Sequence, residues 1–268
     1  MINPTPSDIA ERECRRSVVD FEEVGGTGRS IDSGWMSCDV PDSWADYATS
    51  LGLDGPVSDA VLDEFVEYYR ERGRTPRIKV SPYQHPSLLA GLARRGFTLQ
   101  EVETVLVHTL EDLPDIDAPA GVVFRPIDPT DSADVRLFRD LNCEGFHSGG
   151  PVPDGVLPIT ERMIRSVRCR FWAIEVDGRP AAGAGIEDYE GASVLISGST
   201  IPEFRTRGLQ SLFIRFRLHE VARMGMDYAL MGSLAGDTSE RNALRYGFRP
   251  CFSLMMLQQS GPRPESRE

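Results

Sequence analysis

One stretch in the second half of the chain constrains the fold more than any other. A predicted strand over 192–201 is closed by Pro202, and a basic loop that ends at Gly208 leads into a predicted helix over 209–224. The start of a helix exposes about four unpaired backbone N–H groups and carries roughly half a positive charge. Because glycine lets the backbone approach a bulky anion closely, the stretch predicts an anion-binding cradle. An ordinary basic helix start is the alternative interpretation.

The elements around this stretch alternate between strands and helices. Upstream, Asp177-Gly178 is suited to a tight turn between two strands. Downstream, a short helix ends at Gly247-Phe248. The predicted order is a strand over 122–125, a helix over 135–141, strands over 171–176, 181–186 and 192–201, a helix over 209–224, a strand over 228–233, a helix over 239–246 and a strand over 251–257.

The first half of the chain repeats the latter part of this order: helix, strand, short helix, Gly-Phe, strand. Twenty-three residues separate Gly73 from Gly96, and 22 separate Gly225 from Gly247. We interpret this as a degenerate internal repeat. The alternative is that helix–strand alternation at this spacing is common in α/β proteins. The repeated elements are a helix capped by Ser58, a strand over 77–81, a helix from Pro86 to Gly96-Phe97 and a strand over 102–110.

Composition narrows the classes of function. A formal net charge of −12 disfavours a nucleic-acid-binding protein and fits an amine-bearing partner better than an acidic one. The five cysteines are scattered, so we expect neither a metal site nor a disulfide framework. Residues 1–20 are mostly polar and charged, and no apolar run is long enough to span a membrane. We therefore expect a cytoplasmic protein.

The cradle and the elements behind it resemble the coenzyme A motif of the GNAT-type N-acyltransferases, Gln/Arg-x-x-Gly-x-Gly/Ala after a strand that ends in proline. Arg205, Gly208 and Gln210 occupy its three defined positions, and Gln210 departs from it because the family has a small residue there. The resemblance covers 121–258 and includes the Gly247-Phe248 unit. It implies an α/β (α+β) fold with a mixed, mostly antiparallel central sheet flanked by helices.

The same resemblance implies a division into domains. The N-terminal part looks like a degenerate copy of the latter half of this fold and lacks the cradle loop. The resemblance therefore implies a tandem arrangement. The acidic, proline-rich residues 111–121 are typical of a linker. We expect a degenerate domain over 1–110, an acyl-CoA-binding domain over 122–260 and a disordered tail over 261–268.

The resemblance further implies how acetyl-CoA, or another acyl-CoA, is held as a co-substrate. Its pyrophosphate lies on the helix start, and its pantetheine arm enters a split between the strands over 192–201 and 228–233. The side chain of Gln210 is expected to crowd the pyrophosphate. For Ser239 and Asn242 the alternatives are a helix cap and a solvent-facing residue. The implied cofactor-binding residues are Ser199, Thr200, Ile201, Arg205, Thr206, Arg207, Gly208, Leu209, Gln210, Ser211, Ser239 and Asn242.

Catalysis is harder to assign. Direct acyl transfer needs a neutral amine and a proton for the departing thiolate. Many family members carry a tyrosine four residues before the glycine of Gly-Phe, and here that position is Ala243. Tyr246 lies nearby, and we expect it to be a packing residue rather than the acid. Glu144 and His147 belong to a segment that by resemblance lines the acceptor site, although a surface loop is the alternative for His147.

The strand before the cradle offers no carboxylate base, because serines and a leucine fill its alternate positions. Glu187 and Asp188 are the closest acidic residues, and their alternative interpretation is a solvated turn. The cradle, the order of elements behind it and the family resemblance lead to one main hypothesis, transfer of an acetyl or other acyl group from acyl-CoA to a small-molecule amine, with specificity set by the loop over 146–157. The alternatives are a non-catalytic acyl-CoA-binding or sensing module and a module that binds another phosphate ligand, such as a nucleotide.

Overall fold

The computed structural model describes residues 4–38, 43–148 and 150–260. The chain divides into two compact units, one formed by the described residues of 1–103 and 252–268 and the other by those of 104–251. The elements are α1 (Pro6–Val24), β1 (Gly28–Ile31), β2 (Gly34–Ser37), β3 (Ala48–Thr49), α2 (Asp59–Arg70), β4 (Arg77–Val80), α3 (Pro86–Arg94), β5 (Phe97–His108), β6 (Val122–Pro126), α4 (Ser132–His147), α5 (Val156–Arg165), β7 (Cys169–Val176), β8 (Arg179–Tyr189), β9 (Ala192–Thr200), α6 (Leu209–Arg223), β10 (Tyr228–Leu234), α7 (Thr238–Arg245) and β11 (Arg249–Gln259).

The first unit contains the predicted helices α2 and α3, and its strands follow the order β1-β2-β3-β4-β11-β5. The side chain of Ser58 caps α2 by accepting a hydrogen bond from the N–H of Val61 at 3.3 Å, as predicted. One face of α2 buries Leu62, Phe65 and Tyr69 in the core of this unit. That face follows the helical period and explains why the sequence identified the helix correctly.

Helix α1 was not predicted, because residues 1–20 were interpreted only as polar and charged. Its start carries a capping box in which the Thr5 hydroxyl accepts from the N–H of Asp8 and the Asp8 carboxylate accepts from the N–H of Thr5. The helix buries a sparse stripe that includes Ile9, Cys14 and Phe21. The capping signal was therefore present in the sequence. The short strands β1, β2 and β3 and the helix α5 were also not predicted.

The second unit is a mixed, mostly antiparallel sheet, and this confirms the predicted fold class. Its strands follow the order β11-β5-β10-β9-β8-β7-β6. The neighbours β6 to β9 pair antiparallel, and β9 pairs with β10 in parallel. Phe171 packs against Phe138 of α4, and the next residue, Trp172, packs against Phe216 of α6. Because successive strand residues point to opposite faces, α4 and α6 cover opposite faces of this sheet.

The turn between β7 and β8 has the predicted chemistry. Asp177 and Gly178 have φ angles of 51° and 76°, which are the two left-handed conformations that a type I′ hairpin turn requires. The hairpin prediction is confirmed. The helix over 135–141 was predicted too short, since α4 begins at Ser132, where Asp131 caps it, and continues to His147.

The repeated order of elements is present in the structure. The segments α2-β4-α3-β5 and α6-β10-α7-β11 follow the same sequence of helix and strand. Gly73 and Gly225 have φ angles of 67° and 73°, while Gly96 and Gly247 have 73° and 88°, so all four glycines are left-handed at equivalent positions. A duplication explains this agreement, and it stays an interpretation.

The predicted domain ranges stay a prediction as well. The boundaries between the two compact units fall inside β5, after residue 103, and inside β11, after residue 251. The units therefore differ from the predicted ranges 1–110 and 122–260. Within the predicted linker, the carbonyls of Pro114 and Asp115 accept hydrogen bonds from His219 and Arg215 of α6. The predicted tail over 261–268 lies outside the described residues.

Across the described ranges, the structure contains no helix that is both long and apolar enough to cross a membrane.

His108 at the end of β5 supports the Gly247-Phe248 turn behind α7. Its ring lies edge-on to Phe248 at 5.3 Å, and a Cβ on Gly247 would come within 2.8 Å of Nε2. Only glycine fits there, both for space and for its φ of 88°. Burial is the main cause that lowers the pKa of His108 below its ordinary value of 6.5. The residue belongs to the second unit, although the sequence assigned it to the first domain.

His108 predicts a loss of stability in acid. A histidine whose pKa is lowered on folding stabilises the protein above pH 6.5, and this contribution is lost as the pH falls towards the folded pKa, because the unfolded chain takes up the proton more readily. Thermal unfolding midpoints across this window should fall less steeply for His108→Asn than for the unmodified protein. His85→Asn, at an exposed histidine, is the matched control and should keep the full slope. An unchanged slope in His108→Asn would contradict the assignment.

Candidate functional site

The central feature of the second unit is a pair of parallel strands that separate. Strand β9 pairs with β10 only through the register Tyr228 with Ala192, Ala229 with Ser193 and Leu230 with Val194. Both strands then continue, to Thr200 and to Leu234, without a further register pair in the described chain. The split that the resemblance implies is therefore present between these two strands.

A β-bulge bends β9 just where the split begins. Gly185 pairs with Ile196 and Gly183 pairs with Ser199, so two residues of β9 stand opposite one of β8. Ser197, the first of the two, has a left-handed φ of 53°. Bulges of this kind disrupt the ladder and turn the strand. The bulge thus accounts for the course that takes β9 away from β10.

The loop after β9 leads directly to the start of α6. A single turn of 3₁₀ helix, Pro202–Phe204, buries Phe204, and the loop then exposes Arg205, Thr206, Arg207 and Gly208. Gly208 is the N-cap of α6, with a left-handed φ of 78° and no other atom near the position of a Cβ. No side chain caps this helix. The first N–H groups of α6 are therefore open to a ligand from solvent, as the sequence predicts for an anion cradle.

The charges around the loop favour an anion. The Glu203 carboxylate pairs with Arg179 at 2.7 Å, and this hydrogen-bonded ion pair lowers the pKa of Glu203. The guanidinium of Arg207 lies 4.8 Å from the centre of the Phe204 ring and makes one long bond, of 3.5 Å, to the Glu203 carbonyl. A guanidinium has five N–H donors, so Arg207 keeps donors for an incoming phosphate.

The guanidinium of Arg205 is hydrogen-bonded within the protein. Its guanidinium donates to the carbonyl of Gly145 at 2.8 Å, to the hydroxyl of Ser148 at 3.0 Å and to the carbonyl of Thr200 at 3.2 Å. These bonds tie the last turn of α4 to the end of β9. A cation at this position also suits the negative end of the α4 dipole. A contact between Arg205 and a cofactor stays a prediction.

The end of β9 is packed closely against α4. A Cβ on Gly145 would lie 2.7 Å from the Ser199 side chain, so only glycine permits this approach. The N–H of Ile201 donates to the carbonyl of Ala181 in β8. Arg205 already binds the Thr200 carbonyl. Residues 198–200 lie in the part of β9 that has no register pair with β10 among the described residues.

The similarity to known proteins lies in the fold. No family model matches the chain, and no curated protein matches it. A GCN5-related N-acetyltransferase from Kribbella flavida has a similar structure, with a TM-score of 0.68 and 16% identity over 93% of this chain and 96% of the other. A second, from Sphaerobacter thermophilus, has a TM-score of 0.61 and 14% identity over 80% of this chain and 71% of the other. The chain has the GNAT fold.

A tandem GNAT protein from the clavulanic acid biosynthesis pathway is also similar. It has a TM-score of 0.56 and 16% identity, over 76% of this chain and 70% of its own. The resemblance drawn from the loop and from the Gly-Phe unit is thereby confirmed at the level of the fold.

Against the GNAT motif, the off-pattern Gln210 has a clear structural explanation. Its Nε2 donates to the Ser239 hydroxyl at 2.8 Å, and its Oε1 accepts from the Asn242 amide at 2.8 Å. The side chain thus turns towards α7 and links the starts of the two helices. The cap of α7 is Asp237, whose carboxylate accepts from the N–H of Thr238, so the alternative of a Ser239 cap is wrong.

The acid position of the GNAT pattern is occupied by a packed residue. Ala243 is fully buried. The guanidinium of Arg215 lies 5.5 Å from the centre of the Tyr246 ring. Glu144 is exposed and His147 is partly exposed on the last turns of α4, next to the turn that Arg205 holds. A catalytic role for Tyr246, Glu144 or His147 stays a prediction.

The two acidic residues near the hairpin end are not available as bases at the split. Glu187 forms an ion pair with Arg168, and Asp188 forms one with Arg170 and accepts a hydrogen bond from Ser193. They pair in register with Val194 and Ser193, where β9 and β10 are still joined. Through the described residues, no cluster of His, Cys, Asp or Glu side chains could hold a metal ion.

Two residues at the split were missed by the sequence analysis. Asn142 of α4 donates to the carbonyl of Ser197, and Arg217 of α6 donates to the carbonyls of Gly185 and Ile196. A signal for Arg217 existed, because the apolar residues of α6 surround it on most of the helix circumference. Nothing local in the sequence indicates Asn142.

Proposed function

We propose that the chain is a GNAT-type acyltransferase, which moves an acetyl or another acyl group from acyl-CoA to the amine of a small molecule. The observation that carries the proposal is the separation of β9 from β10 directly before the uncapped, glycine-initiated start of α6. Parallel strands that part leave backbone groups for a linear amide-containing arm, and an open helix start accepts phosphates. Acyl-CoA contains both groups.

The residues present fit such a co-substrate. The N–H groups of Leu209, Gln210 and Ser211 and the side chains of Thr206 and Arg207 would hold the pyrophosphate. The backbone of 198–200 would pair with the amides of the pantetheine arm. The side chain of Gln210, which the sequence led us to expect in the path of the pyrophosphate, is instead hydrogen-bonded to Ser239 and Asn242 of α7.

The proposed chemistry is direct transfer, in which bound acyl-CoA supplies a thioester carbonyl that the amine attacks. The chain would contribute orientation, which can account for a large part of a rate enhancement. The acceptor would approach from the end of α4, where Phe146 is 60% exposed beside the Gly145 contact with β9. Glu144 and His147 lie on the same turns and are the nearest candidates to take a proton from the amine.

A second candidate function has its own supporting observation. Ala243 fills the acid position, and Glu187 and Asp188 are both held in ion pairs. A site that lacks an acid and a base could bind acyl-CoA without turning it over. This supports a binding or sensing module as the alternative.

Calorimetry and a turnover assay distinguish these functions. We expect acetyl-CoA to bind more tightly than ATP, because both ligands offer phosphates to the helix start but only acetyl-CoA offers a pantetheine arm to the split. Release of free coenzyme A with each of a panel of small-molecule amines, matched by acylated product, would support the enzyme. Tight binding without release would support the sensor. Binding of ATP alone would overturn both.

A matched pair of glycine variants tests the helix start. Gly208 and Gly225 lie at opposite ends of α6, both are left-handed, with φ angles of 78° and 73°, and both face open space. A Cβ at either costs roughly 1–2 kcal/mol in backbone strain. Gly208→Ala should therefore lower the unfolding midpoint about as much as Gly225→Ala does, but it alone should weaken acetyl-CoA binding. Equal affinities for the two variants would show that the pyrophosphate does not approach Gly208.

A further inference from the structure

The long helix α6 buries a cation beneath the bulge of β9. Arg217 is only 2% exposed, and no carboxylate pairs with it among the described residues. Its guanidinium donates to the carbonyl of Gly185 at 3.0 Å and to that of Ile196 at 3.1 Å, and its Nε donates to the Phe213 carbonyl of its own helix at 3.3 Å. The partners of this cation are therefore backbone oxygens.

This arrangement is costly as a source of stability alone. Burial lowers the pKa of Arg217 to about 9, because a charge loses its hydration in the interior, and the side chain stays protonated at neutral pH. An apolar side chain of similar length would fill the volume without that penalty. What the guanidinium adds is a rigid group that Nε anchors to its own helix while Nη1 donates to the carbonyls of two strands.

A second buried side chain holds the bulge from the other face of the sheet. The Asn142 amide of α4 donates to the carbonyl of Ser197 at 2.9 Å and to the hydroxyl of Ser199 at 3.3 Å. Helices α4 and α6 cover opposite faces of this sheet, as the contacts of Phe171 and Trp172 establish. The consecutive carbonyls of Ile196 and Ser197 are thus bound from opposite sides.

These bonds answer the main energetic problem of a split sheet. A buried carbonyl that leaves its ladder must find another donor, because an unsatisfied backbone group in the interior is costly. With donors supplied by Arg217 and Asn142, the bulged part of β9 does not need β10 as a partner. The backbone of 198–200 can then remain apart from β10 before any ligand arrives.

We propose that Arg217 and Asn142 are positioning residues that hold β9 in its bulged, separated course, so that the backbone of 198–200 is preset to receive the pantetheine arm of acyl-CoA. This inference rests on the proposed function. It assigns to the two residues an effect on the arm and none on the pyrophosphate, which binds at the start of α6.

The test compares two ligands on one variant. Acetyl-CoA contains the arm and the pyrophosphate, while 3′-phospho-ADP contains the pyrophosphate without the arm. Arg217→Lys keeps the charge, but its Nζ ends one bond short of the Nη1 atom that donates to the carbonyls of both strands. Calorimetry should show acetyl-CoA binding weakened about tenfold, equivalent to one charged hydrogen bond, with the affinity for 3′-phospho-ADP nearly unchanged.

Leu218→Ala is the control for a general loss of stability. Leu218 is the next residue of α6, is fully buried and bonds to neither carbonyl of the bulge. It should lower the unfolding midpoint while leaving the ratio of the two affinities as it is. If Arg217→Lys also leaves this ratio unchanged, the positioning role is wrong.

A second variant keeps the test decisive if Arg217→Lys does not fold. Asn142→Asp has the same shape, but its carboxylate cannot donate to the Ser197 carbonyl. It should show the same selective loss of acetyl-CoA affinity, and an unchanged ratio would again overturn the inference. If the unmodified protein binds 3′-phospho-ADP as tightly as acetyl-CoA, the arm adds no affinity, and the positioning role is contradicted. One that binds neither ligand would instead contradict the proposed function.

Discussion

The second unit depends on one constraint: two parallel strands part within a sheet, and the backbone groups that they release must find other partners. Strand β9 leaves β10 after Val194, and its ladder with β8 is interrupted by the bulge at Ser197. Side chains from the two covering helices bind the carbonyls that the bulge exposes. The split is consequently a built feature of the sheet rather than a frayed edge.

In the loop that follows, side chains bond within the protein while backbone N–H groups face solvent. The side chains that the motif suggests for cofactor binding are partly used within the protein: Arg205 ties α4 to β9, and Gln210 ties α6 to α7. What faces solvent is backbone, namely the N–H groups after Gly208, together with Arg207. A site made mainly of backbone tolerates variation of its side chains, which accounts for an off-pattern glutamine at the third motif position.

Features with local signals were predictable from the sequence. Ser58, Asp177-Gly178 and Pro202 each fix a cap, a turn or a strand end by their own chemistry, and the elements that they bound are present. The element order around Gly208 and Gly247 was sufficient to identify the GNAT fold. Helix α1 was missed although Thr5 and Asp8 form its capping box, because its apolar stripe is sparse.

Features that depend on tertiary contacts were not predictable. An arginine in a helix normally faces solvent, so the burial of Arg217 against two carbonyls is determined by the bulge that it serves. The direction of the Gln210 side chain depends on Ser239 and Asn242, 29 and 32 residues away. Ion pairs with arginines likewise removed Glu187 and Asp188 as bases, and no sequence spacing indicated those pairs.

Amide hydrogen exchange with and without acetyl-CoA tests the central claim, that the split and the helix start form one acyl-CoA site, most directly. The account predicts slower exchange in two separate stretches, Gly198 to Thr200 and Gly208 to Ser211, when acetyl-CoA is added, because the arm covers the first and the pyrophosphate the second. With 3′-phospho-ADP only the second stretch should slow. Protection by acetyl-CoA that leaves the first stretch unchanged, or that appears only elsewhere in the chain, would contradict the account.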